Sequence, residues 1–199
     1  EKDTPGLSFG ANEIKMGWNN QPTRQVVLEN VTVGEDQRLG AEGEGFGIAM
    51  RGLNGGRLNI AACSLGGAQW AMDKAVAHLR TRVAFGRPLI EQQALQFQLA
   101  DMQTSLRAAR LLLHDAARAL DTRREDPATV PACAMAKQFV TDTAFSVANT
   151  ALQLHGGYGY LHEYGIEKVV RDLRVHQILE GTNEIMRVII SRALIEEVL

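Results

Sequence analysis

The stretch LQFQLADMQTSLRAARLLLHDAARAL, residues 95–120, decides the fold class. Its apolar positions Leu95, Leu99, Met102, Leu106, Ala109, Leu113, Ala116 and Leu120 are separated by four, three, four, three residues without a break. That spacing lays one apolar stripe along a long helix, which must bury it against other helices. Outward from it, residues 129–155 carry a second stripe of Ala132, Ala136, Phe139, Val140, Thr143, Val147, Ala151 and Leu154. Pro127 and Pro131 mark its start, because proline is tolerated in a first turn, and Gly156-Gly157 ends it. A third helix is expected over 46–80, with Ile60, Leu65, Ala68, Met72, Ala75, Val76 and Leu79 inward. A last one is expected over about 182–198, carrying Ile185, Val188, Ile189, Arg192, Leu194 and Ile195. Long amphipathic helices with short connections pack best as an antiparallel four-helix bundle, so the chain is mainly α.

Residues 1–40 have a different texture. Gly6, Gly10, Gly17, Asn19, Asn20 and Pro22 are turn residues. Between them and the helices, Arg24–Val33 is rich in β-branched residues and reads as a strand. One or two strands cannot bury a face alone, so this segment leans on something else. The expected division is 1–40 as a β remnant and 41–199 as the helical domain.

Composition narrows the function. A formal charge of −2 and a pI near 6.2, with no Lys/Arg block, argue against nucleic acid or an anionic membrane as partner. Cys63 and Cys133 stand far apart and in no metal-ligand spacing, as in a reduced intracellular protein without a metal site. No signal-peptide pattern and no apolar run of bilayer length is present. The start at Glu1 without methionine points to a piece of a longer chain.

The polar signals cluster at helix ends. His155-Gly156-Gly157-Tyr158-Gly159-Tyr160 lets the backbone turn sharply and lets a ligand approach its amides; a glycine cap followed by a loop explains it about as well. Glu180 precedes a helix expected to begin near Thr182, where free N–H groups and the dipole favour an ionised carboxylate suited to a general base. Composition alone favours an ordinary acidic residue near a helix start. Arg82-Val83-Ala84-Phe85-Gly86-Arg87-Pro88 offers guanidinium forks for phosphate or, equally, a solvated helix terminus. Arg57 after Asn54-Gly55-Gly56 reads first as a surface arginine, and Arg171-Asp172-Leu173-Arg174 as an ion-pair knot. His78, His114 and His176 read as structural.

Taken in order, these segments resemble the acyl-CoA dehydrogenase family, from Lys15-Met16-Gly17-Trp18 and Thr23-Arg24-Gln25-Val26 through Gly43-Glu44-Gly45-Phe46. Arg82 to Gly86, Leu99 to Met102, Ala151 through Tyr160, Val170-Arg171-Asp172 and Ile178 through Arg187 continue the match. The resemblance covers essentially the whole chain and is closest to short- or branched-chain members. It implies FAD-dependent conversion of an acyl-CoA to the trans-2-enoyl-CoA, with electron-transfer flavoprotein as acceptor. Glu180 matches the base that takes the α-proton. Some members instead place the acid on the earlier helix, beside the arginine that matches Arg57; here that place is Gly56, which points to Glu180.

By the same matching, Leu53, Asn54, Arg57 and Gly181 fall at substrate-binding positions. Arg82 and Phe85 match residues that reach the FAD of a neighbouring subunit, with Gln93 near its adenosine end. Gln153, Leu154, His155, Gly156 and Gly157 match the loop at the FAD pyrophosphate, and Thr182, Asn183 and Glu184 match FAD contacts at the last helix. Shared sites imply a homo-oligomer, normally a dimer of dimers. The family also has an N-terminal helical domain and a fuller β domain. Neither matches anything here, so the 199 residues alone are expected to bind FAD poorly. Location would be cytoplasmic in a bacterium and the mitochondrial matrix in a eukaryote. An acyl-CoA oxidase, a nucleic-acid-binding alkylation-response relative and a non-catalytic scaffold are the competing readings.

Overall fold

The computed structural model describes residues 1–197 and forms two compact units, Glu1–Arg51 and the residues from Gly52 onward.

In the first unit, β1 (Leu7–Phe9) pairs antiparallel with β2 (Val26–Leu28), Leu7 opposite Leu28 and Phe9 opposite Val26. The strand expected over Arg24–Val33 is therefore much shorter. The chain turns out of the ladder after Glu29, because Asn30 takes a left-handed conformation with φ 54°. At the other end Gly6, with φ 84°, brings its backbone against Glu29, where a Cβ would lie 3.2 Å from the Glu29 carbonyl carbon. Phe9, Val26 and Leu28 remain exposed, as a two-stranded ribbon without a covering layer requires.

Helices build the rest. α1 (Gly45–Thr81) is followed by a tight hairpin, β3 (Val83–Ala84) and β4 (Arg87–Pro88). Phe85 and Gly86 turn it with φ 53° and 81°, the two successive positive values that a two-residue primed turn needs. α2 (Gln93–Thr122) and α3 (Thr129–Leu154) are joined by a short connection and pack side by side. α4 (Ile166–Arg174) and α5 (Asn183–Ile195) complete the bundle.

The periodic stripe of α2 lies where its spacing places it: Met102, Leu106, Ala109, Leu113 and Ala116 are buried, and Leu95, Leu99 and Leu120 pack at the edges. α3 is the central element. Ala134, Ala136, Val140, Ala144, Val147, Ala148 and Ala151 are buried on several of its sides, and small side chains let the neighbouring helices approach closely. Phe139, read as part of the inward stripe, is exposed instead.

α4 was not anticipated. Gly165 starts it at φ 74°, and Leu173 seats it on α1 at Gly67, where a Cβ would lie 3.1 Å from Leu173 Cδ2. Its ion pairs include two that run along the helix: Arg171 Nε donates to Glu167 (2.6 Å), and Lys168 pairs with Asp172.

α5 buries Met186 and Ala193, while Ile185, Val188, Leu194 and Ile195 are exposed. Of the helix expected to reach Val198, that last position lies outside the described residues. Among the described residues no helix is long and apolar enough to cross a membrane.

Candidate active site

The approach to α5 carries an unusual backbone. Glu180 and Gly181 are left-handed in succession, with φ 57° and 89°. A glycine tolerates this freely; a glutamate does so only when its surroundings hold it there. Thr182 then caps α5, accepting from the Ile185 N–H (3.4 Å). Glu184, in the first helical turn, has its carboxyl held below the usual carboxylate range by hydrogen bonds from its own N–H and from Thr182.

This turn sends the Glu180 side chain onto α1. Its carboxylate lies against Gly56: a Cβ there would stand 2.7 Å from the Glu180 carboxyl carbon and 3.2 Å from Oε1. One residue on, Arg57 is only 6% exposed and donates to Asn54 Oδ1 (2.8 Å), while its buried Nε finds no protein acceptor. Burial lowers the pKa of this guanidinium, opposed by Cys133 and Glu180. The surface arginine of the sequence reading is thus an interior one. Leu53 is half-buried at the same end of α1.

Behind the turn stands a network that sequence reasoning missed. Lys137 of α3 is fully buried and donates to the Gly181 carbonyl and to Asn183 Oδ1, both at 2.8 Å. Asn183 in turn donates to Thr141 Oγ1 (3.0 Å) and Asp142 Oδ1 (2.7 Å). Asp142 also accepts from Gln177 (2.7 Å) and Arg187 (3.3 Å). Asn183, carried over as a cofactor contact, has its amide committed to this interior. On the side of α4, His176 is buried with Nδ1 2.7 Å from Ser64 Oγ of α1. Burial pushes its pKa down to about 4. Lys137 and Asp142 are the only charged residues in α3. Two charges alone on a helix otherwise apolar or neutral are the signal that could have found them.

A second constellation gathers at the far ends of α1 and α3. Arg82, Gln153, Leu154, His155, Gly156, Gly157, His78 and Tyr158 line one cleft of about 420 Å³. Gly156 and Gly157 face open space, so the backbone is accessible. The Arg82 guanidinium stands 5.4 Å from the centre of the Tyr158 ring. His155, its Nδ1 2.7 Å from the Ala151 carbonyl oxygen, stacks on His78 at 4.5 Å. His78 is held below its usual pKa by burial and by its neighbours His155 and Arg82. His78, read as merely structural, therefore belongs to the cleft.

Phe85, 93% exposed at the hairpin tip, and Gln93, the exposed first residue of α2, do not line this cleft. His114 is an exposed residue of α2. No group of three or more His, Cys, Asp or Glu suited to a metal ion occurs among the described residues.

The helical bundle places the chain in a class defined by its C-terminal helical domain. The sequence matches the family described as acyl-CoA dehydrogenase, C-terminal domain, over residues 43–195. The chain belongs to the acyl-CoA dehydrogenase family.

It is 55% identical over 197 residues to the mitochondrial isobutyryl-CoA dehydrogenase of Bos taurus, covering 99% of this chain and 47% of that protein. Butyryl-CoA dehydrogenase from Megasphaera elsdenii superposes with a TM-score of 0.93 at 40% identity, over 98% of this chain and 50% of that one. PigA, solved with FAD and proline, superposes at 0.91 with 27% identity, over 98% of this chain and 50% of its own. The chain thus spans about half the length of the relatives it matches.

Proposed function

We propose that this chain carries the base and part of the cofactor site of an enzyme that dehydrogenates a short or branched acyl-CoA, such as isobutyryl-CoA, between its α and β carbons. The observation that carries the reading is the Glu180 carboxylate held over Gly56 by a left-handed turn. A carboxylate aimed by a constrained turn against a facing helix is a positioned acceptor for a proton.

Glu180 takes the α-proton, becoming a carboxylic acid. The Glu180 backbone N–H stabilises the charge that develops on the thioester oxygen as the proton leaves. Bound FAD supplies the acceptor for the β-hydrogen, which departs with its electron pair as the α–β double bond forms. Leu53, Asn54, Arg57 and Gly181 hold the CoA thioester. The buried Arg57 Nε, lacking a protein acceptor, suits a polar group of the substrate.

The second cleft fits the phosphate-bearing part of FAD. Arg82 offers a cation and Gln153 an amide, and the glycines leave room at the backbone. Phe85 and Gln93 would extend this contact outward, and Thr182 and Glu184 would contact the bound flavin. In this reading Arg82 and Phe85 serve the cofactor of a second copy in a homotetramer. The exposed Ile185, Val188, Leu194 and Ile195 are the kind of apolar surface that association covers. Electron-transfer flavoprotein, with which family members work, receives the electrons. The enzyme is cytoplasmic in a bacterium and lies in the mitochondrial matrix in a eukaryote.

The test is anaerobic mixing of the full-length, FAD-loaded protein with isobutyryl-CoA while flavin absorbance is followed, beside Glu180→Gln. Rapid bleaching that disappears in the variant is expected. Absence of bleaching with every short or branched acyl-CoA rejects the reaction, and bleaching that survives in Glu180→Gln removes Glu180 from its role.

A further inference from the structure

Nothing in the chemistry above uses Lys137, yet it is fully buried in the middle of α3. An ammonium persists in a protein interior only where its donors and its charge are both answered. Here Nζ donates to the Gly181 carbonyl and to Asn183 Oδ1, each at 2.8 Å. Those two acceptors flank Thr182, the cap of α5, and Gly181 directly follows Glu180. The charges around Lys137 come from each element packed near it. Asp142 on α3, Glu184 on α5 and Glu180 in the turn favour the cation, and Arg57 on α1 opposes it. A methionine would fill the same space without these demands, so space-filling does not explain a lysine.

We infer that Lys137 is a positioning residue for the base: by tying Gly181 and Asn183 to α3 it fixes the left-handed Glu180–Gly181 turn, and with it the aim of the Glu180 carboxyl and backbone N–H. The inference rests on the proposed acyl-CoA chemistry. A left-handed glutamate relaxes to an ordinary backbone conformation unless its neighbours over-determine it. The Lys137 bond to the next carbonyl is the restraint that the central helix supplies. Losing it frees the turn and lets the carboxyl leave its place over Gly56. Misplacement by about 1 Å at a reacting group costs about 10²-fold in rate.

The test compares wild type, Lys137→Met, Lys137→Gln and Glu180→Gln as full-length, FAD-loaded proteins. Three quantities are read: the first-order rate of flavin bleaching at saturating isobutyryl-CoA, the affinity for S-isobutyl-CoA, and the melting temperature. S-isobutyl-CoA is a thioether with no carbonyl and cannot be oxidised in this way. Lys137→Met is expected to bleach about 10²-fold more slowly, with thioether affinity unchanged and melting temperature not lowered. Lys137→Gln, which keeps a donor without the charge, recovers part of the rate.

A Met variant as fast as wild type overturns the inference. So does a slow variant that loses thioether affinity and melting temperature in step, which marks a structural role only. Should the Met variant not fold, Lys137→Gln is read by the same criteria. An inert wild type, or a Glu180→Gln that bleaches normally, is the distinct signature of the proposed reaction failing, and this inference falls with it.

Discussion

The Glu180 carboxylate occupies the space that a side chain at Gly56 would take. The position is inside α1, where alanine is favoured over glycine by about 0.5–1 kcal/mol. What yields on adding a Cβ is the far end of Glu180, not the helix. Gly56→Ala is therefore expected to keep or raise the melting temperature while flavin bleaching by isobutyryl-CoA slows about 10²-fold. Activity and stability moving in opposite directions is the outcome to look for; a fully active Gly56→Ala would break the link between this contact and the chemistry.

The burial of Lys137 has a signature in stability as well as in rate. Its pKa is lowered from 10.5 to about 8 in the folded chain. Between those values the unfolded chain holds a proton that the native state has released, so stability rises with pH across that window. Below about pH 8 the whole burial cost is present, on the order of 3 kcal/mol. In urea titrations the stability difference between Lys137→Met and wild type should shrink as pH goes from 8 to 10. A difference that does not change with pH would contradict the lowered pKa.

His176 works in the acid range. Burial lowers it from 6.5 to about 4, against the pull of Asp172. The unfolded chain therefore takes up a proton first, and stability is lost as pH falls from about 6.5 toward 4. Ser64→Ala removes the hydroxyl beside Nδ1 and should destabilise by about 1–3 kcal/mol at pH 7. Chemical denaturation at pH 7 and pH 5 measures both effects.

Arg82 offers a test of the second cleft that needs no turnover. Losing a charged hydrogen bond to phosphate costs about 1.5–3 kcal/mol, a tenfold or larger drop in affinity. Arg82→Ala should emerge from gel filtration with less FAD per polypeptide, the apoprotein melting as before. Full retention of FAD would place the phosphates elsewhere.

Much of the bundle was legible in the chain because helix burial repeats every three or four residues, and Leu95 to Leu120 keep that period over their whole length. The start and end of α3 were legible because proline and glycine punctuate locally. The strand was overestimated, since β-branched composition shows where pairing is tolerated but not how long a partner is available; β1 offers three residues. On α5, the large apolar residues Ile185 and Leu194 are exposed, while Met186 and Ala193 are buried. Which way an apolar helix turns depends on what it packs against.

The sequence by itself determined that the chain is a helical bundle with glycine- and arginine-rich breaks at its helix ends, because those properties depend on neighbours a few residues apart. It also carried the choice of Glu180 over Gly56, through resemblance. Only the tertiary structure decided that these two positions touch, that Arg57 lies inside, that His78 shares a cleft with Gly156, and that Lys137 donates to the Gly181 carbonyl beside Glu180. Each of those facts joins segments far apart in the chain. No local period encodes such a pairing; it follows from how the helices pack and from where a buried charge must find its partners.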